Sequence, residues 1–154
     1  MMGRYDSVVV SLAGRVQAPL LQLYALYVLF HGHYSPGGGF QAGATLAGSF
    51  LIFRITEGYP DGLKGLTTRR ATHLAILGVS LYLAIGILGL LLPPGTAFLD
   101  YAAVSGIPGM PHGEHVAAAR ALGTIGIEVG VTLAVMGVMV ILFDDLVARS
   151  RGGL

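Results

Sequence analysis

Apolar residues fall in four long runs separated by three stretches rich in glycine, proline and charge. Runs of this length predict membrane-spanning helices rather than strands or surface helices. The spans are placed at about 16–34, 40–56, 73–92 and 121–143. Starting the first span after Arg15 lets that side chain reach the headgroups, whereas a charge well inside the bilayer costs at least about 2.5 kcal/mol. It also puts Pro19 in the first turn, where a missing N–H breaks no helical bond. Before it, Val8, Val9, Leu12 and Ala13 form one face of a helix expected to lie at the membrane surface. The weak basic region, Asp6 within it and the longer apolar run that follows argue against a cleaved signal peptide. The pattern predicts an all-α integral membrane protein: four transmembrane helices in one domain over 1–154, with a Pro/Gly-rich break between helices 1 and 2.

That break is the run His31-Gly-His-Tyr-Ser-Pro-Gly-Gly-Gly-Phe-Gln-Ala-Gly43. Pro36 fixes φ and removes a donor, and it pushes Ser35 toward extended geometry. Gly37, Gly38 and Gly39 follow, with no side-chain barrier to unusual φ or to close approach. The segment carries no formal charge and lies between apolar runs, so it reads as an ordered, tightly packed turn with Pro36, Gly37, Gly38, Gly39 and Phe40 as its structural motif. The apolar part of the first span, 16–30, covers about 22 Å, less than the hydrocarbon thickness of about 30 Å. A helix running on past it would carry His31 and His33 to the membrane edge.

Composition sharpens this picture. Hydrophobic residues make up 54% of the chain, charged residues 11%, and mean hydropathy is +0.74. A soluble domain has about 25% charged residues. The net charge of +1 offers no basic surface for nucleic acid. With no cysteine, disulfides, iron–sulfur clusters and thiol catalysis are excluded. The 24 glycines suit close helix packing in lipid.

Two helices carry readable faces. Ala75, Gly78, Gly86 and Gly89 share one side of the third span, as a packing face. On the fourth, Thr124, Glu128 and Thr132 align four residues apart as a polar stripe. Gly123, Gly126, Gly130 and Gly137 lie nearly opposite. Glu128 is the one acidic residue well inside a span. It reads either as a relay for protons or cations, or as a buried carboxyl serving assembly. His31 and His33 are secondary ion-path candidates. Residues two apart do not face each other on a helix, so they do not form a metal pair there. His112-Gly-Glu-His115 lacks the helical two-histidine arrangement of zinc hydrolases. The triple glycine is no phosphate loop, since no lysine follows and no strand precedes. No metal site, cofactor or catalytic residue set is expected. Arg54 reads as an interface residue snorkelling to the headgroups.

Eight of the nine Lys and Arg flank one side of a four-span arrangement, and Arg120 alone lies on the other. The positive-inside rule then places both termini in the cytoplasm, with the glycine turn and the long third connection outside. Four short, glycine-faced helices are too few to enclose a translocation path, so the chain reads as one subunit of a larger assembly.

The His31–Gly43 run resembles the signature of the B subunit of Mrp-type multisubunit sodium/proton antiporters, the MnhB/MrpB family. Gly126-Ile-Glu-Val-Gly-Val-Thr-Leu-Ala-Val-Met-Gly137 is similar to that family's last helix. The resemblance extends from Val16 to about Phe143. It implies a non-catalytic, four-helix subunit of a bacterial or archaeal plasma-membrane complex that exchanges sodium for protons. Its role would be in assembly, with a candidate place on the ion path. The implied partners are other antiporter subunits, including complex I-like ones, together with the lipid bilayer and the transported Na+ and H+. The same module occurs in membrane-bound hydrogenases and related redox complexes, so an ion-translocating membrane-arm subunit is the alternative.

Overall fold

The computed structural model describes residues 7–32, 38–57, 66–92, 97–100 and 116–152. They form four α-helices: α1 (Val8–His31), α2 (Gly38–Glu57), α3 (Thr68–Leu91) and α4 (Val116–Gly152). The Pro/Gly-rich break expected between the first two helices falls on 33–37, outside the described residues.

The helices lie side by side in the order α1, α2, α4, α3. Positions lacking a Cβ reveal their directions. Gly14 of α1 faces Thr56 of α2 and Gly32 faces Gly38, so α1 and α2 are antiparallel. Gly39 faces Glu128 and Gly43 faces Thr132, so α2 and α4 run parallel. Gly78 meets Gly130 and Ala134, while Gly137 meets Ala71 and Ala75, so α3 and α4 are antiparallel. Small residues at these crossings let backbones approach where no hydrophobic gain from water is available.

The core lies at the α2–α4–α3 junction: Ala47, Ala71, Met136 and Val140 are buried, with Phe50, Leu74 and Leu133 packed around them. The predicted packing face of α3 is the buried one: Ala75, Gly78, Gly86 and Gly89 are all covered. Residues 97–100 fold back onto its C-terminal half, where Phe98 covers Gly86 and stands edge-on to Tyr82 at 6.4 Å. Leu99 there has a positive φ of 65°. By contrast, α1 buries only Gly14, Ala18, Ala25 and Leu29.

The helical bounds correct two expectations. First, α1 begins at Val8 and runs unbroken to His31, so residues 8–14 are not a separate surface helix. Second, Pro19 lies inside α1 rather than in its first turn. Gly14 lies against Thr56 and draws the early turns onto α2. The hydrogen bond that Pro19 forfeits is tolerated because membrane helices find other ways to satisfy freed backbone groups. Three helices, α1, α3 and the 120–150 part of α4, are long and apolar enough to cross a bilayer.

Candidate functional site

The two features singled out in the sequence meet in space. α4 begins at Val116, so Glu128 lies twelve residues in, about 18 Å along the axis. Its face turns toward α2 because the glycines opposite it are taken up by α3. Gly130 packs on Gly78 and Tyr82, and Gly126 faces Ile85. The carboxylate reaches the place where α1 ends and α2 starts. A Cβ added to Gly32 would stand 2.5 Å from Glu128 Oε2, and one added to Gly38 would stand 2.8 Å from Oε1. At Gly39 an added Cβ would collide with the Glu128 carbonyl oxygen. The glycines are thus the cradle in which this carboxylate sits. Oε2 is fully buried there, although the residue as a whole is half-buried.

Thr132, one turn on, is buried and ties the same two helices together. Its hydroxyl lies 3.0 Å from the Gly39 carbonyl and 2.8 Å from the Glu128 carbonyl, and it donates to this pair. Thr124, one turn earlier, turns its hydroxyl back to the Arg120 carbonyl at 3.0 Å. The polar stripe is therefore real as a line on α4, but only Glu128 and Thr132 engage α2. His31 is exposed; its Nδ1 lies 3.0 Å from the Tyr27 carbonyl and its ring stacks on Tyr27 at 4.1 Å. His33, Pro36 and Gly37 lie outside the described residues, as does the His112–His115 segment. Phe40 is exposed and, with Ala134, Val135, Val138 and Met139, lines an apolar groove of about 260 Å³. Among the described residues, no group of three or more His, Asp or Glu is placed to hold a metal ion.

A second polar cluster went unread in the sequence. Arg54, near the end of α2, is buried and forms an ion pair with Asp144 of α4, which is buried too. The guanidinium also donates to the Leu66 carbonyl, and the Thr68 hydroxyl donates to the other Asp144 oxygen. Arg54 is therefore not a snorkelling interface residue. Its partner is ninety residues away, and only the parallel pairing of α2 and α4 brings the two together. The available signal was that pairing itself: the offset that sets Gly39 beside Glu128 also sets Arg54 beside Asp144.

Glycine-packed helices, three of them long and apolar enough to cross a bilayer, with a carboxyl held between them, mark a membrane protein. Residues 9–141 match the family described as a domain related to the MnhB subunit of Na+/H+ antiporters, and the chain belongs to that family. It is 28% identical over 128 residues to an uncharacterized protein of Methanocaldococcus jannaschii, a match covering 83% of this chain and 48% of that protein. The chain thus spans about half the length of this curated relative. No solved structure matches the chain.

Proposed function

We propose that the chain is a non-catalytic subunit of a multisubunit Na+/H+ antiporter in a bacterial or archaeal plasma membrane. In this reading it crosses the membrane four times, keeps both termini in the cytoplasm, and binds other antiporter subunits, including complex I-like ones. It supports assembly and contributes Glu128 to the ion path. The seating of Glu128 carries this reading: a carboxyl deep in an apolar helix is expensive, and here two glycines of the preceding helices make room for it.

Transport by the purified complex, reconstituted with Glu128→Gln or Glu128→Asp, tests the ion-path role. Glutamine keeps the size but does not ionise. The complex is expected to assemble while antiport falls on the order of tenfold or shifts its pH optimum. Aspartate retains part of the activity. Wild-type transport by Glu128→Gln at every pH would remove Glu128 from the path and leave it a structural residue.

A further inference from the structure

Of the three helices long and apolar enough to cross a bilayer, α1 is the least covered by the rest of the chain. Its buried residues, Gly14, Ala18, Ala25 and Leu29, mark the side turned to the bundle. Another side carries a polar stripe. At 3.6 residues per turn, Gln17, Leu20, Tyr24, Tyr27 and His31 fall within about 80° of one another, centred about 130° from the buried side. All five are exposed. The rings form one row: Tyr27 stacks on Tyr24 at 6.5 Å and on His31 at 4.1 Å. Among the described residues, none takes a hydrogen bond from either phenol or from the Gln17 amide.

Depth decides what this stripe can face. In the crossing proposed above, Arg15 reaches the cytoplasmic headgroups. Tyr24 and Tyr27 then lie about 14 and 18 Å further along the axis, at the middle of a hydrocarbon layer about 30 Å thick. Tyrosines that meet lipid gather at the two interfaces, where the ring is in an apolar setting and the hydroxyl is wet. From the middle of the layer a tyrosine reaches neither surface. A bare phenol there forfeits its hydrogen bond with water and gains none in return. The exposed side of α3 has the composition that lipid takes: Ile76, Val79, Leu83, Ile87 and Leu90, all aliphatic. α1 departs from it over the same depth.

We infer that the Gln17–Tyr24–Tyr27–His31 stripe of α1 docks one transmembrane helix of another subunit, a helix that carries polar side chains opposite the two phenols. The inference deepens the reading of the chain as an antiporter subunit and rests on it for the crossing of α1. Polar side chains hydrogen-bond across helices within a membrane, where little else distinguishes one apolar helix from another. The stacked rings arrive already ordered, so docking immobilises few side chains. Leu20, between Gln17 and Tyr24, adds apolar contact on the same line.

Photo-crosslinking of the intact complex in native membranes tests this. Benzoylphenylalanine is placed at Tyr24 and, in a separate preparation, at Leu83; both sites are exposed, so neither disturbs the bundle. The Tyr24 position should capture an apolar segment of one other subunit, with a polar residue within a turn of the adduct. The Leu83 position should give lipid adducts. Lipid adducts alone from Tyr24 would overturn the inference, and so would capture of a second copy of this chain or of a segment without polar residues. Equal capture of protein from both positions would show that polarity does not mark the contact, and would overturn it too. Tyr24→Phe combined with Tyr27→Phe keeps both rings and removes both hydroxyls. This pair should release the chain from the complex in detergent about 3- to 10-fold more readily. Release equal to that of the wild type would remove the phenols from the contact and overturn the inference. Capture of a polar helix from a redox-enzyme subunit would leave the docking face standing and sink the antiporter reading.

Discussion

At the scale of single residues, what matters at the site is which atom each glycine would strike. A Cβ at Gly38 meets the end of the Glu128 side chain, which can rotate away. A Cβ at Gly39 meets the Glu128 main chain, with its Cα and carbonyl carbon both 3.0 Å away. Main chain inside a packed helix has nowhere to go. Gly39→Ala should therefore destabilise by about 1–3 kcal/mol, and Gly38→Ala by clearly less. Thermal unfolding of the complex in detergent, comparing the two variants, checks this order, and a reversed order would mean that the α2–α4 spacing is not as described. That Glu128 and Thr132 share a face was legible because a single acidic residue in an apolar helix, followed by a threonine four residues on, stands out in any pattern, and both turn toward α2. Thr124 belongs to the same line but not to the contact, since a stripe shows which side faces inward and not how far the neighbouring helix extends.

At the scale of elements, the two ends of the α2–α4 seam are fixed by different chemistry. The Glu128 end is a carboxylate in a glycine cradle. The other end is a buried ion pair, Arg54–Asp144, that also binds the start of α3 through the Leu66 carbonyl and the Thr68 hydroxyl. Removing one member of a buried pair leaves an uncompensated charge and typically costs about 3–5 kcal/mol, whereas apolar replacement of both is often neutral. Arg54→Ala or Asp144→Ala should each reduce recovery of the assembled complex sharply. The double variant Arg54→Met with Asp144→Leu should recover most of it, as measured by the yield of intact complex. Additive losses in the double variant would show that the cluster's hydrogen bonds to α3 matter more than its charge balance. The packing faces of α3 and α4 could be read directly, because small residues at helical spacing mark backbone contact. The start of α1 could not. The cost of burying Arg15 suggested a late start, but α1 begins at Val8, and Gly14 packs there against the Thr56 side chain. Arg54 was misread because a charge at a helix end looks alike whether it meets water or a partner on another helix.

At the scale of the molecule, the passage of α2 decides the number of spans. It is not among the helices apolar enough to cross on their own, and it carries Gln41, Thr45, Ser49 and Arg54. It nevertheless runs parallel to α4 between α1 and α4, and its Arg54 is neutralised by Asp144. Ser49 and Arg54 are buried among the helices and Thr45 bonds back to the Gln41 carbonyl, so of these four only the exposed Gln41 presents its side chain outward, and low hydropathy does not bar α2 from crossing. Charge points the same way. Arg15, Arg54, Arg69, Arg70 and Arg149 gather at the end of the bundle where α1 begins and α4 finishes, while Arg120 lies at the other end. In the topology proposed above, the positive-inside rule sets the first of these ends on the cytoplasmic side. The chain has no cysteine, so single cysteines can be introduced without interference. Ser35→Cys precedes α2, and Thr67→Cys follows it, at the cap of α3. In right-side-out vesicles, an impermeant thiol reagent should label Ser35→Cys and spare Thr67→Cys. In inverted vesicles the pattern should reverse. Labelling of both from the same side would mean that α2 returns without crossing, leaving the other three helices as the spans and setting the two termini on opposite faces.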